Sequence, residues 1–302
     1  MPEPALARGS KGDLVAVLQK GLAAQGLYTG TVDGDFGGVT ASAVEAQQAL
    51  MGLAEDGRAT PPVWTRATGM PWPELFERCL QLTARFEGHG YRSVAGNWDK
   101  AGLTWGIIGF TLKHGEIQAL LLEVHLRQPE LLLAAFGETA VAKIRELAGA
   151  SLAEQMAWAE SVSLPPKKVR VAEPWRSAFI QLGGDPFVQE LQRRRARQKY
   201  FAGAQATAAE LGLETERGIA LCFDIHVQNG GVKKKDQQAY ADQVAALPAN
   251  AAEREKRSIL AQLVAASSKF PADVLSRKGT LATGRGEVHG ELFDLDSWAL
   301  AD

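Results

Sequence analysis

Apolar side chains in the first seventy residues fall at helical intervals, interrupted twice by glycine-rich turns. Leu14, Val17, Leu18 and Leu22 recur with the spacing of one helix face, and the run closes on Gly26. Ser10, Gly12 and Asp13 precede it as a capping signal. "TVDGDFGGVT" then reads as a tight loop, with Thr40 placed to cap a second helix, "ASAVEAQQALMGL". An Asp56-Gly57 turn follows, and "TPPVWTRATG" predicts a short third helix with proline at its start. Residues 9–69 are thus expected to form a three-helix bundle, a module whose own core is marginal at this size. "GMPWPE" from Gly69 to Glu74 is punctuated by proline, which suggests a linker over 70–74 and a second domain over 75–302.

The second domain reads as mainly α with a small β region. Helical patterning covers 74–87, 115–134, 138–148, 151–160, 186–212, 215–228, 235–246, 251–267 and 271–277. The glycine-rich stretch 88–114 breaks the pattern, and the glycine-rich tail reads as irregular with a short strand or hairpin. No internal repeat or low-complexity segment is visible in the pattern.

Composition narrows the classes. The 302 residues are 46% hydrophobic and 23% charged, with a net charge of -2, so no global charge draws the chain to nucleic acid or to a membrane surface. Cys79 and Cys222 lie far apart, each in an apolar run, and read as buried thiols. The five histidines have no metal-ligand spacing, so neither a metal nor a cofactor is expected. The opening "MPEPALARGSKGDLV" lacks the apolar core of a signal peptide, and no run reaches the ~20 residues of a spanning helix. The expectation is a monomer made in the cytoplasm, which needs a separate membrane-permeabilising protein if it works outside.

Two carboxylates carry candidate chemistry. Leu75, Cys79, Leu82 and Phe86 mark a buried helix face that stops at Gly88, so Glu87 sits in the last turn. The helix dipole there disfavours its ionised form, and an apolar neighbour such as Phe86 raises its pKa further, as a general acid requires. Asp99 lies in a polar loop, "GNWDKAG", where a carboxylate stays ionised, and Thr104 follows just before "WGIIGF". One raised and one ionised carboxyl is the pattern for splitting a glycosidic bond. A solvated helix-end glutamate, a turn aspartate and a strand threonine account for the same spacing without function.

The set "E87 … D99-KAGL-T104-WGIIGF" resembles the signature of the family 46 glycoside hydrolases, the chitosanase branch of the lysozyme superfamily. The Asp-to-Thr interval and "GIIGF" match that family residue for residue, while the Glu-to-Asp interval is shorter than in its secreted members. The resemblance continues through "EPWRSAFIQLGGDPFVQELQ" and "RGIALCFDIHVQNGG" to "TGRGEVHG". It implies a lysozyme-like α+β catalytic domain. It also implies that Glu87 is the general acid, Asp99 the general base of an inverting reaction, and Thr104 the hydroxyl that positions water.

The first module resembles the three-helix peptidoglycan-binding modules. It carries Leu-Gln in the first helix, Gly-x-Tyr-x-Gly, Asp-Gly-x-Phe-Gly, Asp-Gly-Arg and Trp64, with Ala46-Gln47 where that family has Phe-Gln. An anchor of this kind implies a peptidoglycan hydrolase of the muramidase or endolysin type, with peptidoglycan as its polymeric partner. Expected substrate contacts are Asn97, Trp105, His226 and Asn229 in the second domain and Tyr28, Asp35 and Phe36 in the first. His226 also reads as a core histidine bonded to a backbone carbonyl. "RRRARQK" (193–199) and "KKK" (233–235) read either as solvated helix faces or as attraction to the carboxylates of wall peptides, and neither favours polycationic chitosan. The alternatives are a chitosanase with a wall anchor and a non-catalytic wall-binding protein.

Overall fold

The computed structural model describes residues 3–88 and 90–302, so His89 lies outside the described residues. The chain forms two compact units, Met1–Phe86 with Lys199–Asp302, and Glu87–Gln198.

The first unit begins with α1 (Asp13–Ala24), α2 (Gly38–Leu50) and α3 (Pro61–Thr68). Leu18, Leu22, Phe36, Val44, Val63 and Trp64 form their common core, joined by Leu6 and by Ala299 from the tail. Two capping expectations are corrected. Gly12, not Ser10, is the residue before α1, and its helix lacks a side-chain cap; the Asp13 N–H is taken instead by Gln81 Oε1 at 3.0 Å. Thr40 lies inside α2, which starts two residues earlier at Gly38, and its hydroxyl accepts from Gln19.

The two turns of this module are built alike. Gln19 Oε1 accepts the Gly34 N–H at 2.9 Å, and its Nε2 reaches Asp33 Oδ1 at 2.9 Å and the Asp35 carbonyl at 3.0 Å. Gln48 repeats this on the second turn, with Gly57 N–H at 3.0 Å, Asp56 Oδ1 at 2.7 Å and the Arg58 carbonyl at 3.1 Å. In each turn the aspartate also accepts the N–H two residues on, Asp35 at 2.8 Å and Arg58 at 3.0 Å. Gly34 and Gly57 have φ of 72° and 67°, a left-handed turn conformation that a side chain disfavours. The sequence pattern hides this repeat, because only Gln, Asp and Gly recur and the intervals differ.

The same unit contains α4 (Leu75–Glu87) up to Phe86, the π-turn at Arg197–Phe201 from Lys199 onward, and α10 (Ala202–Glu210), α11 (Glu216–Asn229), α12 (Lys234–Ala245), α13 (Glu253–Ala266) and α14 (Pro271–Thr283). Phe76, Phe201 and Phe223 meet edge-to-face at its centre, with centroids 5.3–6.1 Å apart. The helix expected to end at 277 runs to Thr283, because Leu281 and Ala282 continue its buried face. Gly284, at φ 86°, stops it, and the hairpin of β6 (Arg285–Val288) and β7 (Glu291–Asp294) follows. Cys79 and Cys222 are buried free thiols.

The second unit holds the stretch that broke the helical pattern. Its core sheet is β1 (Val94–Ala95), β2 (Thr104–Trp105) and β3 (Phe110–Thr111), antiparallel in that order. Around it come α5 (Glu116–Arg127), α6 (Pro129–Gly149), α7 (Leu152–Ser161), the pair β4 (Ser163–Leu164) and β5 (Arg170–Val171), α8 (Trp175–Leu182) and α9 (Pro186–Ala196). The helix expected over 115–134 is broken at Gln128, since Pro129 excludes its neighbour from helical geometry. α8 was absent from the sequence expectation. Its signal was present: Trp175, Ala178, Phe179 and Leu182 follow helical spacing, with Ala178, Phe179 and Leu182 buried, and Glu173 accepts from the Ser177 N–H and hydroxyl.

Candidate active site

Asp99 sits in the loop between β1 and β2. Asn97 holds that loop in three directions. Its N–H donates to Ser163 Oγ at 2.9 Å, its Nδ2 to Glu160 Oε2 at 2.7 Å, and its Oδ1 accepts from Gly102 N–H at 2.8 Å. Asn97 is therefore a clamp on the loop rather than an open substrate contact. Asp99 is exposed, and one oxygen accepts the Ala101 N–H at 3.0 Å. The other has no hydrogen bond or ion pair among the described residues. Lys100 adopts φ 67° beside it, a strained conformation that turns the loop tip.

Thr104 lies on β2, half-exposed, paired across the sheet with Ala95 and Thr111. The next residue faces the other way. Trp105 is fully buried, donates its indole N–H to the Phe179 carbonyl at 3.1 Å and packs on the Phe179 ring at 5.2 Å. Trp105 is thus a core anchor and not a substrate contact, because strand alternation sends it inward when Thr104 points out. "GIIGF" turns the chain from β2 to β3. Gln192, fully buried on α9, accepts the Ile107 N–H at 3.0 Å and donates to the Tyr91 carbonyl at 3.1 Å. Gly106, at φ 90°, is required there: a Cβ would meet Gln192 Oε1 at 2.4 Å. Gln192, Glu160 and Ser163 fix the loop from distant sequence positions, and no local motif marks them.

Glu87 is the last residue of α4 and is half-buried. The preceding Phe86 is 1% exposed, packs on Phe293 at 4.9 Å and carries the Arg277 guanidinium 5.5 Å from its ring centre. The helix end is therefore held by core packing.

In the first unit His226 is half-buried, and its Nε2 lies 2.9 Å from Thr207 Oγ1. Burial lowers its pKa. A hydroxyl, not the expected backbone carbonyl, is its partner. Asn229, the last residue of α11, lines a cavity of ≈ 310 Å³ with Gln228, Lys233, Asp236, Phe270 and Asp273. Asn229 Oδ1 is buried without a hydrogen-bond partner among the described residues. Behind the cavity, Asp224 is fully buried between Arg277, at 2.6 Å, and Lys278. Burial alone would raise its pKa; the two cations overcome this and hold it at about 2. Lys278 also donates to Gln228 Oε1 at 2.8 Å, and Gln228 to Asp273 at 2.9 Å, so the buried charge supports the cavity wall.

The module residues divide differently from the expectation. Phe36 is fully buried in the three-helix core, and Tyr28 is 7% exposed with its hydroxyl donating to the Thr31 carbonyl at 2.6 Å. Both are structural, because the core needs their rings. Asp35 is exposed and pairs with Lys11 at 3.1 Å. The exposed apolar side chains of the module are Val32, Val39, Leu50, Leu53 and, in the junction, Met70.

The arginine run is largely paired, whereas of 233–235 only the Lys233 side chain has a partner among the described residues. Arg193 pairs with Glu190 at 2.6 Å, Arg194 with Glu123, and Arg195 with the buried Glu116 at 2.9 Å. Lys233 donates to the Ser267 carbonyl. The arginine run is thus an ion-paired helix face, and it says little against a cationic glycan. Among the described residues no helix is long and apolar enough to cross a membrane.

Comparison with known proteins adds two findings. Residues 11–66 match the family described as a putative peptidoglycan binding domain. A solved family 46 chitosanase from Gynuella sunshinyii, in complex with chitotetraose, aligns with a TM-score of 0.52 at 17% identity, covering 74% of this chain and 98% of that one. No curated protein gives a significant match. The chain therefore has a mainly α fold like that of the family 46 enzyme, and its residues 11–66 are similar to the peptidoglycan binding domain family.

Proposed function

We propose that the protein is a glycoside hydrolase that cleaves the β-1,4 bonds of the peptidoglycan glycan strand, a muramidase of the endolysin type. The observation that carries this reading is the Asp99 loop. It presents an exposed carboxylate with one unengaged oxygen, on a backbone clamped by Asn97 and anchored through Gln192. A general base needs that combination of a free lone pair and a fixed position. Glu87 protonates the leaving oxygen, Asp99 takes a proton from water, and Thr104 orients that water. Water then attacks from the face opposite the leaving group, with inversion. The module at 11–66 holds the enzyme on its polymer and so raises the local concentration of scissile bonds. The enzyme reaches the wall after a separate protein permeabilises the membrane.

A second reading is favoured by a specific observation. The structural neighbour is a chitosanase bound to chitotetraose, and the arginines that argued against chitosan are ion-paired. Digestion of peptidoglycan, chitin and chitosan by the wild type and by Glu87→Gln and Asp99→Asn separates the readings. Muramic reducing ends found by mass spectrometry, and lost in both variants, support the muramidase. Cleavage of chitosan alone replaces it with a chitosanase on a wall anchor. Binding to walls without cleavage of any glycan replaces both with a non-catalytic wall-binding protein.

A further inference from the structure

A second cavity lies inside the Glu87–Gln198 unit, away from the Asp99 loop in sequence and lining. It measures ≈ 80 Å³ and opens between α5, α6 and α7. Ile117, Leu121, Leu132, Val141, Ile144 and Leu147 form most of its wall, with Trp158 and Phe179 closing it. Apolar cavities of this kind stay dry, so an apolar ligand displaces no ordered water.

The polar groups around it set a direction. Inside, Gln118 and Gln155 are turned to each other at 2.6 Å and to the backbone carbonyls of Leu112, Leu147 and Ala150. Gln118 Oε1 has no partner among the described residues, and a lone buried acceptor repels a second acceptor. An acidic head group is therefore excluded from the interior. At the edge, His125 and Arg145 line the same cavity, and no acidic residue does. Neither makes an ion pair or a side-chain hydrogen bond among the described residues. Leu122, 54% exposed, continues the apolar wall outward, and Leu126, 72% exposed, stands one turn further along α5.

We propose that this cavity binds the aliphatic chain of a single-chain anionic amphiphile of the fatty-acid class, tail inward between α5, α6 and α7, with its carboxylate at Arg145 and His125. The volume of ≈ 80 Å³ admits the terminal few carbons of the chain, and the exposed Leu122 and Leu126 flank the rest along α5. The guanidinium offers a carboxylate two parallel donors, which an alcohol head cannot use.

Trp158 makes the test direct, because a brominated chain quenches an indole only at contact. The full-length protein is titrated with 11-bromoundecanoate below its micelle concentration, following tryptophan fluorescence, with calorimetry in parallel. Saturable quenching that weakens in Trp158→Phe and disappears when Trp175, 4.9 Å from Trp158, is also replaced by Phe, while the calorimetric binding persists, is the expected result. Arg145→Glu should weaken undecanoate about tenfold, a shift of about 1.4 kcal/mol, and leave 11-bromoundecanol unchanged. Val141→Phe should abolish binding by filling the cavity. Ala148→Phe, at the exposed lip, does the same without touching the core, in case the first variant misfolds. Absence of saturable quenching overturns the proposal, as does equal binding by a filled variant with unchanged circular dichroism. Quenching only by vesicles of brominated phosphatidylglycerol also overturns it, in favour of a membrane contact at the exposed leucines.

Discussion

Three of the aspartates that make the same local turn, two in the module and one in the second unit, are held in different ways. Asp33, Asp56 and Asp99 each accept the N–H two residues ahead, at 2.8, 3.0 and 3.0 Å. In the module, a glutamine from a neighbouring helix also grips the first two carboxylates, and those turns are cross-linked to a core. At Asp99 the grip moves two residues back. Asn97 takes the structural bonds, and the carboxylate keeps a free oxygen. A motif of Asp in a glycine-rich turn therefore does not reveal function by itself. What sets Asp99 apart from Asp33 and Asp56 is that no buried amide claims its carboxylate among the described residues.

The largest expected effect comes from Asp99→Asn. Glycan cleavage should fall about 10²–10⁴-fold, the usual worth of a general base, while the melting temperature stays unchanged. A drop in melting temperature with activity retained would make Asp99 a third structural turn and collapse the contrast. Asn97→Ala tests the clamp. Freeing the loop displaces Asp99, so kcat should fall about 10²-fold with KM nearly constant; a change in KM alone would make Asn97 a substrate contact after all.

The module turns should respond in the opposite way. Gln48→Ala leaves the Gly57 N–H and the Asp56 carboxylate without their partner and should cost about 1–3 kcal/mol, read by denaturant melts, with cleavage of soluble oligosaccharides unchanged. Gln47, the preceding residue on the same helix, gives the reverse sign. It is fully buried, and neither polar atom of its amide has a partner among the described residues. Gln47→Leu should stabilise by about 1–2 kcal/mol, and destabilisation would point to an ordered water on that amide.

The smallest effect is acid sensitivity. The hydrogen bond from the Asp35 N–H lowers the pKa of Asp33 below 3.8. Burial opposes this at Asp56, but Gln48 and the Arg58 N–H lower its pKa as well. Depressed carboxylates contribute stability that is full above the unfolded value and is lost as pH falls through the folded one. Melting temperature should therefore decline below about pH 4, and less steeply in Asp56→Asn. Identical profiles in the two proteins would show that the bond to Gln48 carries no linkage.

Local pattern made most of the helices legible and placed Glu87 at a helix end and Asp99 in a turn, because a helix face and a turn each leave a short-range signature. It failed where geometry is made at a distance. Nothing near "GIIGF" announces that Gln192 will fill the space above Gly106, and nothing near Asn97 points to Glu160 and Ser163. Trp105, Tyr28 and Phe36 were misplaced for a related reason: an aromatic beside a polar motif looks the same whether its ring faces solvent or core. Strand alternation next to Thr104 contained the answer for Trp105. The π-turn at 197–201 gave no warning, because one extra residue in a helix barely disturbs its apolar spacing.

The seam at Leu6 sets a timetable. Leu6 bridges Ala59 on one side and Trp298 on the other, Ala7 donates its N–H to the Ser297 carbonyl at 3.1 Å, and Ala299 completes the module's core. A ribosome adding about 5–20 residues per second makes the second neighbour of Leu6 roughly 12–48 s after the first. During that interval the three helices exist with an unfilled edge, a surface open to chaperones. Once residues 297–299 dock, two segments far apart in sequence are stitched together, and pulling either one loose uncovers the other.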